Sequence, residues 1–330
     1  MSGAQFESQA MLEHLVDYAT WNRRLLRNVT GIVVAIVLFN VFVDPYEIFG
    51  IVSYRGGFAP NERFNKVDYL LAHSEKYDSF IVGSSVMGQF NPRLLELKRP
   101  GQRAYNLSFL RGTPAEALDT LRTLQANGVR IKEIVMGIDV FPFIESSEYV
   151  EPFRRPHPAV SGESVASFYL SYVFTSGLVQ GINRLSHAFE PQPKIAFDLR
   201  GTGEYRLLSY DRENLKDQSS FIKRQMAPIA DAKRAKFVWV QKRFDELQAL
   251  KEWLAAGGIR AEFFIHPLHH STLDLIEQAS LTEFRSRVVS ILGPVPDYSR
   301  TDRITHDDRN YYDRKHYRPF VAEEILGQIL

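Results

Sequence analysis

Hydrophobic and polar positions divide the chain into three unlike stretches. In the first, no residue between Arg27 and Asp44 is charged, and residues 31–39 and 41–43 are strongly apolar. This charge-free run of about 16 residues is slightly shorter than the roughly 20 that a spanning helix prefers. Arg23, Arg24 and Arg27 can snorkel at one end, and Tyr46 and Phe49 can occupy the far interface, which makes up the difference. No small-residue cleavage site follows, so the pattern predicts an uncleaved signal anchor over 28–44, with a buried core helix as the alternative. The arginines ahead of the run place residues 1–27 in the cytoplasm and residues 45–330 outside it. Phe6, Met11, Leu12, Leu15 and Tyr18 recur at near-helical spacing, which predicts an amphipathic helix on the inner membrane surface within residues 1–22.

The second stretch has short apolar runs separated by helical patterns. Strands are predicted at 79–83, 104–107, 134–139 and 261–266, and a weaker one at 295–298. Helices are predicted at 114–127, capped by Thr113, and at 244–256, stopped by Gly257 and Gly258. Strands alternating with helices imply an α/β domain whose parallel sheet is covered on both faces. Sites in such sheets form at the carboxyl ends of strands, where Ser85, Ser108, Asp139 and His266 fall. In the third stretch, residues 145–235, the alternation breaks. Pro152, Pro156, Pro158, Pro191 and Pro193 interrupt it, and 164–189 is a serine- and aromatic-rich helical stretch. These residues read as an insertion that covers a site or docks on a partner, or as a lengthened crossover. The basic run Lys233, Arg234, Lys236, Lys242 and Arg243 reads as a solvated helix face rather than a polymer-binding stripe.

Composition narrows the functional classes. Of the 330 residues, 45% are apolar, with 23 Phe and 15 Tyr, which is ample for a core. A net charge of +1 argues against nucleic acid as the partner. There is no cysteine, so disulfides and thiolate metal sites are excluded. His266, His269 and His270 raise the question of a metal, but Pro267 denies them a regular helix, and no metal or other cofactor is expected.

The chemistry lies at the two ends of the second pattern. The run 80–82 ends abruptly in Gly83-Ser84-Ser85, which displays a hydroxyl at the end of a strand. Far downstream, Asp313 and His316 stand three residues apart in Asp-x-x-His. A nucleophilic serine needs a histidine to take its proton and an acid to orient that histidine. Ser84 is the competing nucleophile and His306 the competing base, and helix capping is the bland alternative for both serines.

Gly-Ser-Ser closing the first strand and Asp-x-x-His near the end resemble the SGNH/GDSL hydrolase superfamily. The closest likeness is to its membrane-anchored branch, which includes the alginate O-acetylation proteins and the D-alanyl transfer protein of teichoic acid modification. Val43-Asp44-Pro45-Tyr46, Tyr105-Asn106-Leu107-Ser108 and Gly137-Ile138-Asp139-Val140-Phe141 are similar to that branch too. The resemblance implies a three-layer, flavodoxin-like domain behind one transmembrane helix. It implies Ser85 as nucleophile, His316 as general base and Asp313 as its orienting acid. Ser108 and Asp139 would fall at the oxyanion and substrate positions. Both depart from the pattern: Ser108 replaces a glycine, and Asp139 replaces an asparagine whose amide donates to the oxyanion. An ionised carboxylate cannot donate.

The expected function is O-acyl transfer, with acetyl as the expected group, to an exported cell-surface polysaccharide. The chain would work with a multipass membrane acyltransferase, held by a single span in a bacterial inner membrane with its catalytic domain outside. An anchored carbohydrate esterase using the same triad and a non-catalytic scaffold of the acylation complex are the alternatives.

Overall fold

A single unbroken helix, Gly3–Val43, carries the apolar run, so no break separates the predicted surface helix from the predicted anchor. The structure is a computed structural model that describes residues 3–51, 60–144, 153–175, 177–188, 194–227 and 236–330, with the side chains of the first helix from Tyr18 onward. Phe6, Met11, Leu12 and Leu15 therefore lie outside the described side chains, and Pro152, Pro191, Pro193, Lys233 and Arg234 lie outside the described residues. The part Tyr18–Val43, 26 residues, is long and apolar enough to cross a membrane. At about 1.5 Å per residue it reaches roughly 39 Å, more than the roughly 30 Å of a hydrocarbon core. Asp44 ends the helix with a left-handed φ of 42°. Its carboxylate accepts from the N–H groups of Ile48, Phe49 and Gly50 at 2.7, 2.8 and 2.9 Å, which folds the exit segment into a tight turn.

Beyond this helix the chain is α/β. The strands are β1 (Ser79–Val82), β2 (Ala104–Asn106), β3 (Glu133–Ile138), a small antiparallel hairpin of β4 (Ala196–Phe197) and β5 (Tyr205–Arg206), and β6 (Arg260–Ile265). Four of them form one parallel sheet in the order β2-β1-β3-β6. β1 and β3 are buried along their whole length, as unbroken apolar runs in a sheet covered on both faces require. Phe80, Val82, Ile134 and Met136 pack with Leu121 of Pro114–Ala126, Leu247 of Gln241–Ala256 and Phe284 of Gln278–Leu292. Ile81, Val135 and Phe264 point the other way, toward Leu95 of Pro92–Lys98 and Val321 and Ile325 of Pro319–Ile329.

Thr113 caps Pro114–Ala126 as its sequence predicts, accepting from the Glu116 N–H at 3.2 Å. The weak strand predicted at 295–298 is reduced to one parallel bridge between Ile265 and Asp297. Pro294 and Pro296 cannot donate to a ladder, so only the Pro296 carbonyl reaches β6. Between β3 and β6 the insertion forms the helices Val165–Thr175, Leu178–Ala188, Leu208–Lys216 and Gln218–Gln225, together with the β4–β5 hairpin.

Candidate active site

β1 stops at Gly83, whose φ of 134° is open only to glycine and whose missing Cβ leaves room for Met87. The chain then turns into a 3-10 helix, Ser85–Gln89, rather than the α-helix common at such turns. Ser85 sits at its head, 8% exposed, with its Oγ 3.0 Å from His316 Nε2. The other ring nitrogen of His316, Nδ1, lies 2.9 and 3.1 Å from the two Asp313 carboxylate oxygens. A carboxylate only accepts, so Nδ1 carries the proton and Nε2 is left to take the Ser85 proton.

Local folding explains how Asp-x-x-His achieves this. Asp313 Oδ1 also accepts from the N–H groups of Lys315 and His316 at 2.8 and 2.7 Å, closing a turn around the carboxylate. The Tyr312 N–H donates to the His316 carbonyl, and Tyr311 pairs antiparallel with Tyr317. Tyr311, Tyr312 and Tyr317 are buried and fix this hairpin to the domain. Burial works against the charge on Asp313, but the His316 ring and the two N–H bonds outweigh it and hold the carboxyl below the usual carboxylate range.

Ser85, Asp313 and His316 open onto a cavity of about 320 Å³. Its walls are Leu110, Ile195, Phe197, Tyr205, Leu207 and Tyr210, with Arg111 and Arg154 at the polar side. Six of the lining residues, Arg154 among them, come from the insertion. Tyr205 also touches Ser85 directly, its hydroxyl donating to the Ser85 carbonyl at 2.7 Å. Asp211 accepts from the Tyr312 hydroxyl at 2.6 Å, which ties the insertion to the hairpin that carries His316. None of these contacts is legible in the sequence beyond the expectation that 145–235 covers a site. Arg111, with a left-handed φ of 56°, is a sparsely populated conformation at the cavity edge.

The two residues expected at the oxyanion point elsewhere. Ser108 directs both its N–H and its hydroxyl to Asn106 Oδ1, at 3.1 and 2.6 Å. Asn106 in turn donates to the carbonyls of Met87 and Phe90, at 2.7 and 3.0 Å, and so braces the turn after Ser85. Asp139 is buried beneath the neighbouring serine, accepting from Ser84 Oγ at 2.9 Å and from the Phe141 N–H at 3.1 Å. It also pairs with Lys315 Nζ at 3.2 Å. Burial pushes its carboxyl up, but Lys315, His266 and the two hydrogen bonds prevail, so it is held below the usual range and ionised. Burial therefore does not protonate Asp139, and its carboxylate is turned to Ser84, Phe141 and Lys315. The Ser85 N–H remains as a donor, because the first N–H of a helical turn has no intrahelical acceptor.

The loop 107–112 behind Ser85 is held by charged residues of the helix Glu62–Ala72. Glu62 accepts from the Leu110 N–H, Arg63 donates to the Leu110 carbonyl at 2.7 Å, and Lys66 donates to the Ser108 carbonyl at 2.7 Å. Burial lowers Lys66 to about 8.

Ser84, the competing nucleophile, caps the turn and bonds Asp139. His306 stacks on His270, with ring centroids 4.8 Å apart, and does not line the cavity. His266 is buried. Its Nδ1 meets the Tyr317 hydroxyl at 2.6 Å, and its ring lies so near Gly137 that a Cβ there would stand 2.2 Å from it. Burial lowers its ring to about 4, so it is neutral. His269, His270 and Asp308 gather with their ligand atoms within 4.8 Å of one another, a set able to hold a metal ion. In the structure His269 is bonded to Ser271 and Asp308, both at 2.7 Å.

Comparison with known protein families and with curated proteins finds no match to this chain.

Proposed function

We propose that the chain is a membrane-anchored O-acyltransferase of the SGNH type that works through an acyl-serine intermediate. The relay from Ser85 Oγ through His316 to Asp313, built from opposite ends of the chain, carries this reading. In the first half-reaction His316 Nε2 takes the Ser85 proton as Oγ bonds to the acyl carbonyl carbon. The tetrahedral intermediate collapses, its bond to the donor oxygen or sulfur breaks, and His316 returns the proton to that leaving atom. In the second half-reaction an acceptor hydroxyl loses its proton to His316, attacks the ester and regenerates Ser85.

Transfer beats hydrolysis only where the acceptor is positioned and water is a poor competitor. Losing one side-chain oxyanion donor typically costs about 2.7–4 kcal/mol of barrier. With Ser108 and Asp139 turned away, the barrier rises for water and for an acceptor hydroxyl alike. What supports transfer over the esterase alternative is the candidate span, which would hold the site beside a membrane partner.

The domain reading is a three-layer, flavodoxin-like arrangement, supported by the four-stranded parallel sheet and the apolar packing on both of its faces. The cellular reading is a bacterial inner-membrane protein with Arg23, Arg24 and Arg27 on the cytoplasmic side and the catalytic domain outside. Its acyl donor would be a multipass membrane acyltransferase, its acyl group acetyl, and its acceptor an exported polysaccharide.

Intact-mass analysis after exposure to an activated acetyl ester tests this directly. An adduct of one acetyl group on Ser85, absent in Ser85→Ala and discharged faster by a polysaccharide acceptor than by water, is the expected result. Discharge by water alone would select the esterase, and no adduct at all would select the scaffold.

A further inference from the structure

Two helices of the insertion leave large apolar side chains bare. Val165, Leu170 and Phe174 on the first, and Leu178, Val179 and Ile182 on the second, are 49–65% exposed. Scattered apolar residues need no explanation, but a set this dense on adjoining helices does.

Their position supplies one. Asn40 Nδ2 donates to the Val173 carbonyl at 2.8 Å, and the Phe39 ring packs so closely on Gly181 that a Cβ there would meet it at 2.3 Å. Phe39 and Asn40 lie in the last turns of the span Tyr18–Val43, so the pair sits where that span would leave the hydrocarbon. The opposite side of the pair faces the domain. Phe168 and Tyr172 pack with Tyr46, Ile48 and Phe64, and the buried Arg184 pairs with Glu47. The bare residues are thus continuous with the apolar flank of the anchor, where Val34, Leu38 and Phe42 are likewise uncovered.

Charge and shape both favour lipid as what covers them. Val165–Thr175 contains no charged residue, and the only Lys, Arg, Asp or Glu of Leu178–Ala188 is Arg184, which is buried. A protein partner would be expected to meet a polar rim, whereas a bilayer penalises exposed charge and accepts a continuous apolar face. Val165–Phe174 and Leu178–Ser186 together are as apolar as a membrane span, but they bend by 74°. A pair bent that sharply is suited to entering a leaflet and returning.

We propose that Val165–Phe174 and Leu178–Ser186 form a shallow, re-entrant membrane element, with acyl chains of the leaflet facing the catalytic domain covering these six side chains. The proposal rests on the reading of Tyr18–Val43 as a membrane span.

The absence of native cysteine makes the test clean. Single-cysteine variants of the full chain, labelled with an environment-sensitive fluorophore, would be reconstituted in phosphatidylcholine–phosphatidylglycerol vesicles with nitroxide-bearing lipids. Val33→Cys reports the span, Phe174→Cys and Val179→Cys report the proposed element, and Leu215→Cys on Leu208–Lys216 serves as the aqueous reference. Lipid nitroxides should quench the first three several-fold more than the fourth. Quenching at Val33→Cys, with Phe174→Cys and Val179→Cys matching Leu215→Cys, would overturn the element alone and assign the face to a protein partner. No quenching at Val33→Cys would remove the span itself and the element with it.

Discussion

Replacing Asp139 with asparagine separates two roles that one residue cannot fill together. If position 139 faced the reacting oxygen, Asp139→Asn would restore a neutral donor and speed ester hydrolysis. In the structure the carboxylate instead joins Ser84, Phe141 and Lys315, and so fastens the His316 hairpin to the end of β3. Asparagine keeps the shape and an acceptor for the Phe141 N–H, but it leaves the Lys315 ammonium without its counter-charge. Breaking a buried ion pair from one side costs about 3–5 kcal/mol. Lys315 is 27% exposed and can turn partly to water, which brings the expected loss nearer to about 2–3 kcal/mol. That corresponds to a midpoint lowered by roughly 4–8 °C. The folded carboxyl is held below its usual range, so its stabilisation is complete above the unfolded value near about 4. It is lost as pH falls through the lower folded value, so the gap between wild type and variant should be flat at neutral pH and close in acid. Denaturant melts of both proteins from neutral to acidic pH measure the gap, and a chromogenic acetyl ester measures turnover, which should fall. Equal stability at neutral pH, or faster hydrolysis by the variant, would refute the reasoning.

Ser85→Ala, His316→Ala and Asp313→Ala should each fold and lose turnover of the same ester by about 10⁴-fold or more, with losses that do not add, whereas Ser84→Ala should keep the relay. The reverse pattern at the two serines, read from the same assay, would move the nucleophile. A reporter active only in the cytoplasm, fused after Leu330, should be silent, and a strong signal there would invert the proposed topology. Lys66, lowered to about 8 by burial, binds fewer protons folded than unfolded between about 8 and its ordinary 10.5. Stability should therefore rise with pH across that window. Lys66→Met should flatten the rise in urea titrations, and an unchanged slope would show that the ammonium is not desolvated.

The parallel sheet was legible because β1 and β3, buried on both faces, had to be written as unbroken apolar runs. The relay was legible because each half is a compact motif whose geometry is set locally, at Gly83 and in the turn closed by Asp313. The cavity walls were not, since Tyr205, Tyr210 and Phe197 reach Ser85 through packing that leaves no periodic trace. Position 139 shows a subtler limit. A carboxylate at 139 looked like a lost donor, while the cation that pairs with it stands at Lys315, 176 residues downstream between Asp313 and His316. Only a contact map links a substitution in one block to its answer in another. The strand expected at 295–298 failed for a local reason that could have been foreseen, the prolines at 294 and 296.

The exit turn at Asp44 bears on how such a protein would tolerate redesign. Asp44 winds residues 48–50 back on themselves, while Asn61 and Asn65 both donate to the Tyr46 carbonyl. This makes the junction a bracket rather than a leash. A leash would let the domain wander, and a partner in the same bilayer would meet the cavity at whatever local concentration the slack allowed. A bracket sets the height and heading of the cavity once, during folding. In the membrane-anchored function proposed above, grafting a foreign anchor through a flexible spacer would keep the domain at the membrane and still leave it misaimed.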